Sequence, residues 1–328
     1  MKLSVVIPVY NGEAFIQKSY FTIKGQGIND FEILYVNNNS IDDSEQEIQK
    51  LQSHDSRVVL LNQIKQGAAA ARNLGIKTAK GEYIYVFDVD DEIYPNALLQ
   101  MIRVLDSNSD VEAVFGKMMK SDRGISDTNK PAEGTNNVII KNPPHWGLEW
   151  FRSLKNVVGP PAFMYRKTVF DKIGLYNEAI KNNEDTALDI KLGMTQRIAF
   201  IDRFVYLYFK HPDSTIEQAK RRMPRAFMVW PRLIKEHIPY YLEYNTPVEF
   251  KKLLFGHLFQ SMGRQLVFTT GLKNRHRLKC KLLNDIYQIH VPLLIEFYLS
   301  ILVILPFESI RKIYGYYLVP YVVKRVTN

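Results

Sequence analysis

The sequence predicts an α/β protein in which helices flank a mainly parallel sheet, with a basic α-helical region after it. Strand-like and helix-like patterns alternate four times with short links, which is typical of parallel strands joined by crossover helices. Hydrophobic residues make up 46% of the 328 residues, a proportion that supports a full core. Residues 219–328 carry 18 Lys or Arg against 6 Asp or Glu, whereas residues 1–218 carry 25 against 28. We therefore expect two regions with different roles, residues 1–217 with the sheet and residues 218–328 with basic helices.

Four strands are predicted in the first part of the chain. Leu3–Val9 is an apolar run with Pro8 near its end, as expected of a strand that is buried on both faces. Glu32–Val36 and Val58–Leu61 are shorter runs, and Tyr83–Phe87 is aromatic and β-branched, which suits a pleated sheet. Helical patterns follow these strands at Phe15–Lys24, Ser44–Ser53, Gln66–Asn73 and Asn96–Leu105.

The elements after residue 105 are less regular. Ala113–Gly116 and Ala162–Arg166 have strand patterns, and residues 118–145 between them contain several Asp, Asn, Gly and Pro. We expect that segment to be an extended loop or insertion that borders a binding cleft. A helix is expected over Thr186–Gly193, capped by the polar run Asn182–Asp185. Further short elements are expected at Val169–Ile173, Phe200–Ile201 and Val205–Phe209.

Three carboxylates, Asp88, Asp90 and Asp91, directly follow the fourth strand in GEYIYVFDVDDEIYP. Acidic side chains that are crowded at a strand end repel one another, so the cluster indicates that a cation is bound there. In an extended chain Asp88 and Asp90 point the same way, and such a pair suits Mg²⁺ or Mn²⁺. The alternative interpretation is a helix cap before the pattern that starts at Asn96.

Polar segments follow three of the predicted strands, at Tyr10–Asn11, Asn37–Asp43 and Asp88–Asp91. In an open α/β sheet, ligands bind beyond the carboxyl ends of the strands. The three segments fall on that one edge, so the sequence predicts a ligand site there.

The C-terminal region is expected to form short basic helices, because seven prolines interrupt its helical pattern between Pro224 and Pro320. Val291–Leu305 is strongly apolar, but it is shorter than a membrane span and contains Glu296. Tyrosines lie between basic residues over Phe307–Val326, a pattern that suits the headgroup region of a membrane. The alternative is an ordinary helical subdomain with solvated Lys and Arg.

The cysteine count and the N-terminus predict a cytoplasmic protein. One cysteine, Cys280, leaves no partner for an internal disulfide and no four-cysteine metal site. The opening MKLSVVIPVYNG has no basic leader and no small-residue cleavage site, so a secretion signal is not expected. A recognised nucleic-acid motif does not accompany the basic region, so we expect no nucleic-acid partner.

Six motifs, in this order along the chain, resemble those of family 2 glycosyltransferases of the GT-A fold. They are VVIPVYN, VNNNSIDDS, GAAAARNLGI, GEYIYVFDVDD, NNEDTALDIKL and HPDS. The resemblance covers roughly residues 1–215, and the order of the motifs makes it more specific than any one of them. It implies a Rossmann-like GT-A sheet that binds a nucleotide-activated sugar, most often a UDP-sugar.

The resemblance also implies which residues bind the donor. Pro8, Tyr10 and Asn11 would line the base and the ribose. Arg72 would lie near the base or the diphosphate, a role that suits the fork of donors in a guanidinium. Many family members have an acidic pair after the second strand, where this chain has two asparagines. An amide can still hydrogen-bond a pyrimidine edge, so Asn38 is a candidate for base contact.

Metal and catalytic residues are implied by the later motifs. Asp88 and Asp90 match the metal-binding Asp-x-Asp, with Asp88 facing the ribose or metal-bound water. His211 and Ser214 match a late metal or phosphate contact that part of the family has. Asp185 matches the general base, with Glu184 beside it. Both acids are also good first-turn helix residues, and a capping role is the alternative.

The activity that the resemblance implies is inverting, metal-dependent transfer of a hexosyl or N-acetylhexosaminyl group, with Mn²⁺ or Mg²⁺ as cofactor. A divalent cation stabilises the diphosphate that leaves, and a carboxylate takes the proton of the acceptor hydroxyl. The acceptor would be a cell-surface glycan, a polysaccharide or a lipid-linked glycan. Basic helices would hold the protein at the inner face of the cell membrane as a peripheral protein.

Two other function classes are weighed against this one. A catalytically inactive GT-A-like protein that binds a glycan or a partner is the main alternative, but the intact Asp88, Asp90 and Asp185 favour an enzyme. A phosphoryl-transfer enzyme would place its acids after the first strand, and here the first strand ends in Pro-Val-Tyr-Asn.

Overall fold

The structure is a computed structural model that describes residues 1–128, 134–180, 183–211 and 226–327, with side chains from residue 233 onward in the last segment. The chain divides into two compact units, Met1–Gln218 and Ala219–Asn328. The first unit contains the sheet, and the described part of the second unit is helical.

The strands of the first unit are β1 to β9 in chain order. They are β1 Leu3–Val9, β2 Phe31–Asn37, β3 Val58–Asn62, β4 Tyr83–Val86, β5 Glu92–Ile93, β6 Ala113–Ser121, β7 Val138–Lys141, β8 Phe163–Arg166 and β9 Ile198–Phe209. The helices of this unit are α1 Glu13–Lys24, α2 Ser44–His54, α3 Ala68–Thr78, α4 Ala97–Ser107, α5 His145–Arg152, α6 Val169–Ile173 and α7 Glu184–Thr195.

Within the described residues the strands form one mixed sheet in the order β3-β2-β1-β4-β8-β6-β9-β5, with β7 beside β9. Strands β3, β2, β1 and β4 are parallel to one another, and β8 then pairs antiparallel with both β4 and β6. The central strands are buried on both faces, as their continuous apolar sequences predict. The carboxyl ends of β1, β2 and β4 therefore lie together at one edge of the parallel half.

The register of β1 against its neighbours places the polar segments side by side. Val9 is level with Asn37, so the residues that follow β1 adjoin those that follow β2. Val6 is level with Val86, and the chain leaves β4 two residues before Asp88. The sequence-based expectation of one polar edge follows directly from this register.

Residues 118–145 are more regular than expected. Strand β6 continues to Ser121, and β7 lies inside the segment that was expected to be a loop. Strand β9 is continuous where two short strands were expected, because β6, β7 and β5 all pair with it. The polar pair Asp202 and Arg203 interrupts its apolar pattern, but Asp202 binds Thr135, and Arg203 donates to the carbonyl of Pro95 at 3.0 Å.

The described helices of the second unit are α8 Ala226–Glu243, α9 Val248–Phe268, α10 Leu272–Asn284, α11 Leu293–Ile304, α12 Glu308–Ile313 and α13 Val319–Thr327, with a π-helical turn at Tyr314–Leu318. The expectation of short, proline-interrupted helices is wrong for α8 and α9, which have 18 and 21 residues. Pro231 and Pro239 lie within α8, whereas Pro247 and Pro292 directly precede helices. A helix suited to spanning a membrane is not found in the described part of the chain.

Candidate active site

The turn after β4 holds the acid cluster. Phe87 still donates its N–H to the carbonyl of Val6, so the strand pairing continues to the residue before Asp88. Asp91 then donates its N–H to the carbonyl of Asp88 at 3.1 Å, which closes a turn. The side chain of Asp91 is buried and accepts the N–H of Phe209 at 2.9 Å, which joins this turn to the end of β9. Asp88 and Asp90 are left partly exposed at the sheet edge.

Asp90 is paired with His211, which follows β9. Its Oδ2 lies 2.8 Å from Nε2 of His211, and the imidazole packs against the rings of Phe15 and Phe209 at 5.3 and 5.9 Å. Burial raises the pKa of Asp90, and the negative charge of Asp88 raises it further. The carboxylate is therefore in a position where a bound cation would relieve electrostatic repulsion.

Arg72, on α3, connects the acid cluster to the start of α7. Its Nη2 donates to Oδ1 of Asp88 at 3.0 Å, and its Nη1 donates to Oε1 of Glu184 at 2.8 Å. Arg72 is 6% exposed and its guanidinium lies over the ring of Tyr176. Burial by itself lowers the pKa of Arg72, but the charges of Asp88 and Glu184 outweigh burial and the pKa is raised. One cation thus fixes two acids that are far apart in the sequence.

Helix α7 begins with the two acids that the sequence singled out. Glu184 is buried, and burial and the neighbouring charge of Asp185 raise its pKa against the opposing effect of Arg72. Asp185 is more exposed, and its Oδ1 accepts the N–H of Thr186 at 2.7 Å. Asn183, just before the helix, has a left-handed backbone with φ of 70°, whereas Asn182 lies outside the described residues. The geometry gives Glu184 a positioning contact and leaves Asp185 accessible.

The loop after β1 is fastened to the loop after β2. Asn11 donates its N–H to Oγ of Ser40 at 3.0 Å, and its Oδ1 accepts the N–H of Ile41 at 2.9 Å. Pro8 is partly buried at the end of β1, and the side chain of Tyr10 is 56% exposed. Tyr10 is therefore available at the edge where the base of a donor is expected.

Asn38 has a structural role in the next loop. Its amide nitrogen donates to the carbonyls of Gln63 and Lys65, both at 2.8 Å, and its Oδ1 accepts the N–H of Gly67 at 2.7 Å. These contacts fix the loop that leads into α3. The side chain of Asn38 is thus engaged, and contact between Asn38 and a base stays a prediction.

Asp189 is a buried acid that the sequence reasoning missed. It is 1% exposed and lies four residues after Asp185 on α7. Neither of its carboxyl oxygens has a hydrogen-bond partner within 3.5 Å among the described residues, nor do the buried hydroxyls of Tyr165 and Tyr176. Burial raises the pKa of Asp189 well above its ordinary value, and the charge of Asp185 adds to this. The four-residue spacing, which puts two acids on one helix face, is the signal that could have revealed it.

The residues that could hold a metal are Asp90 and His211, with Asp88 next to them. A cluster of three or more His, Cys, Asp or Glu in metal-ligand geometry is not found in residues 1–128, 134–180, 183–211 and 233–327. Asp88 is paired with Arg72, so the candidate metal ligands are the carboxylate of Asp90 and the imidazole of His211, which contact each other. This pair fits Mn²⁺, which accepts both ligand types and is completed by water and phosphate oxygens. Residues 212–214 of the HPDS motif lie outside the described residues.

Comparison with known proteins identifies related chains. The uncharacterized glycosyltransferase EpsJ of Bacillus subtilis is 26% identical over 217 residues, which cover 66% of this chain and 63% of EpsJ. The GalNAc(5)-diNAcBac-PP-undecaprenol beta-1,3-glucosyltransferase of Campylobacter jejuni is 34% identical over 125 residues, or 38% of this chain and 40% of that enzyme. The chain therefore spans less than two thirds of the length of these relatives.

A solved structure has the same fold over nearly the whole chain. Residues 1–349 of S. aureus TarS, crystallised in complex with UDP-GlcNAc, match with a TM-score of 0.67 and 18% identity, covering 99% of this chain and 92% of that one. The predicted GT-A fold, with a mixed sheet flanked by helices and helices after it, is confirmed by this match. The family model described as glycosyl transferase family 2 matches residues 4–174, which is more than half of the sequence. The chain belongs to glycosyl transferase family 2.

Proposed function

We propose that this protein is an inverting glycosyltransferase that moves a sugar from a nucleotide-sugar donor to a hydroxyl of a glycan or a lipid-linked acceptor. The observation that carries the proposal is the fork of Arg72, which binds Asp88 on the donor side and Glu184 beside Asp185. An acid on the donor side and the neighbour of the candidate base Asp185 are thereby held by one group in a member of a glycosyltransferase family. Catalysis by positioning needs such a fixed geometry.

The residues of the chain take separate roles in the proposed reaction. Asp90 and His211 would hold Mn²⁺, which supplies positive charge to a leaving diphosphate when it is bound. Asp185, the more exposed acid of the pair, takes the proton of the acceptor hydroxyl. Glu184 and Arg72 orient their neighbours, and Tyr10 and Asn11 border the base and ribose. Attack from the side opposite the diphosphate inverts the anomeric centre, and a covalent enzyme intermediate is not required.

A UDP-sugar is the donor that the comparisons favour. The solved structure with the same fold holds UDP-GlcNAc. Transfer of a hexosyl or an N-acetylhexosaminyl group fits this donor class. Support for a lipid-linked acceptor comes from the C. jejuni relative, whose name specifies an undecaprenol-linked glycan. We accordingly propose that the protein works at the inner face of the cell membrane, in the synthesis of a cell-surface glycan.

The proposal is tested by measuring sugar transfer from a panel of UDP-sugars to polyprenyl-diphosphate-linked glycans, with release of UDP as the readout. Asp185→Asn keeps the size of the side chain but removes the base, so transfer should fall about 10²–10⁴-fold, while donor affinity stays nearly unchanged. Asp171→Asn, at an exposed acid on α6, is the matched control and should keep full activity. A fully active Asp185→Asn enzyme would remove Asp185 from the proposed role, and proton NMR of the product would reveal whether the anomeric configuration is inverted.

A further inference from the structure

One helix of the C-terminal unit is apolar on its exposed side as well as on its buried side. Helix α11 packs three fully buried side chains into the unit, Ile295, Leu299 and Leu302. On its other side Leu293, Phe297 and Ile304 are 81%, 61% and 66% exposed. Their spacing of four and seven residues places them on one helix face. A helix with apolar side chains on both its inner and its outer side is normally covered on both, so this exposed face indicates a binding surface.

The neighbouring helix carries a basic stripe. Helix α10 contains five Lys or Arg and no Asp or Glu. Lys273, Arg277 and Lys281 are exposed and are spaced by four residues, which places them on one face of the helix. Unlike a helix with mixed charges, this face attracts anions along its whole length.

Direct contacts hold the two helices side by side. Arg275 of α10 donates from Nε to the carbonyl of Val303 at 2.6 Å, and Lys279 donates from Nζ to Oγ of Ser300 at 2.6 Å. Both acceptors belong to α11. Both bonds leave α10 from the side opposite the basic stripe, because Arg275 and Lys279 are two residues out of step with the stripe. The stripe is therefore on the outer, solvent-facing side of α10, and the unit presents an apolar face on α11 and positive charge on the outer side of the adjacent helix.

We propose that the exposed face of α11 and the basic stripe of α10 together bind the surface of an anionic lipid bilayer. The proposal rests on the proposed function in one respect, since a lipid-linked acceptor would be reached from that surface. The 12 residues of α11 span about 18 Å, whereas the hydrocarbon core of a bilayer is about 30 Å thick. The helix is consequently placed in the plane of the headgroups, with Leu293, Phe297 and Ile304 among the acyl chains.

A second copy of the chain is a less suitable occupant of this face. In a two-fold dimer the same patch would face itself, and the basic stripes of two α10 helices would approach one another. Like charges that meet across an interface oppose association. An anionic lipid surface satisfies both parts of the patch at once, because apolar side chains insert and basic side chains meet phosphate groups.

Flotation of the full-length protein with vesicles tests the apolar part. The wild-type protein should float with vesicles of phosphatidylcholine and phosphatidylglycerol, and only weakly with phosphatidylcholine alone. Phe297→Asp should reduce binding at least about tenfold, because a carboxylate replaces an inserted ring. Phe21→Asp is the matched control, since Phe21 is also on a helix and is 63% exposed, and it should bind like the wild type.

Charge reversal tests the basic part. The triple variant Lys273→Glu, Arg277→Glu and Lys281→Glu should lose binding on the order of a hundredfold, since each basic residue near an anionic surface contributes about fivefold or more. A control with the same change in net charge is Lys77→Glu, Lys120→Glu and Lys155→Glu, at exposed positions of the first unit. It should retain most of the binding, and salt should weaken wild-type binding more than that of the α10 variant.

The outcomes separate this proposal from the proposed function. Wild-type protein that stays unbound with anionic vesicles, or Phe297→Asp protein that floats like the wild type, would overturn the membrane proposal. Wild-type protein that forms a dimer in sedimentation, with Phe297→Asp monomeric and vesicle binding unaffected, would also overturn it in favour of self-association. UDP binding by calorimetry should be the same in all these variants. Absence of UDP binding by the wild-type protein would instead contradict the proposed transferase activity. The conclusion drawn from vesicle binding would not change.

Discussion

At the scale of single residues, Arg72 is the group that organises the candidate active site. Its guanidinium is buried, and its two terminal nitrogens bind Asp88 and Glu184. A lysine has one compact cation and could not hold both acids in fixed positions. The sequence singled out Arg72 as a ligand for the donor, but the structure shows it paired with protein carboxylates. We expect its contribution to be mainly the placement of the acids around it.

Arg72→Met should lower the free energy of unfolding by about 3–5 kcal/mol, because Glu184 is then buried without its cation. Adding Glu184→Leu should recover much of this loss, since it removes the buried carboxylate that has lost its cation. Urea unfolding of the two single variants and the double variant provides the measurement. Arg152→Met, at a solvent-exposed ion pair with Glu149, is the control and should change stability by less than about 1 kcal/mol. A single Arg72 variant as stable as this control would show that the buried pair is not the organising contact.

Asp189→Asn should stabilise the protein more at pH 7 than at pH 5. The pKa of Asp189 is raised in the folded state by burial, so the folded chain keeps a proton that the unfolded chain releases above about pH 4. The contribution of Asp189 to stability is therefore present at acid pH and is lost as the pH rises toward the folded pKa. Asparagine has no proton to lose, so its advantage in Tm should widen with pH. Parallel plots of Tm against pH for wild type and variant would contradict this account.

Residue types and order were predictable from the sequence, but their pairing was not. Asp88, Asp90 and Asp185 were recognised because acids at strand and helix ends recur in an ordered set of motifs. The contact of Arg72 with Glu184 joins residues that are 112 positions apart. It depends on how α3 and α7 meet, which local patterns do not encode. The catalytic and ligand roles of these residues stay predictions until they are measured.

At the scale of elements, the start of α1 is held by side chains from the next loop. Gly12 donates its N–H to Oγ of Ser44, and Glu13 donates its N–H to Oδ2 of Asp42. Oδ1 of Asp42 also accepts from the backbone and the hydroxyl of Ser44. The free N–H groups at this helix start are thus satisfied from outside the helix. Hydrogen bonds thus join the loops that follow β1 and β2 at the edge where a donor is proposed to bind.

Asp42→Ala should destabilise the protein by about 1–2 kcal/mol, because it removes acceptors for the first turn of α1 and for Ser44. Asp43→Ala is a good control, since Asp43 is exposed and its carboxylate bonds only locally, to Gln46. Chemical denaturation measures both variants. Equal stability of the two variants would show that the hydrogen bonds of Asp42 do not contribute to the stability of the loops after β1 and β2. If these loops border the donor, the affinity for UDP should also fall in Asp42→Ala.

Elements with a strong local pattern were predicted well, and elements defined by distant partners were not. Strands β1 to β4 and the helices between them follow from apolar runs and turn residues. Strand β7 has the exposed sequence Val-Ile-Ile-Lys, and it is a strand because β9 provides its hydrogen bonds. Helix α8 continues through two prolines, although proline in the interior of a helix normally breaks or kinks it. In both cases contacts beyond the local sequence outweigh the local signal.

At the scale of the whole molecule, the two units differ in net charge. The sheet-bearing unit is close to neutral, whereas residues 219–328 carry a large excess of Lys and Arg. The contrast was visible from composition alone. Its specific consequence, a basic stripe on α10 beside an apolar face on α11, required the structure because it depends on which residues are exposed. That residues 1–217 and residues 218–328 have different roles remains a prediction.

The most direct test of the central claim is calorimetric titration of the full-length protein with UDP, GDP, CDP and dTDP, each with and without Mn²⁺, repeated on Asp90→Ala. We expect UDP to bind most tightly and Mn²⁺ to strengthen its binding. Asp90→Ala should lose this strengthening, whereas the surface control Asp171→Ala should keep it. Absence of binding to every nucleotide, or UDP binding that is indifferent to both Mn²⁺ and Asp90, would contradict the proposed donor site at the end of β4.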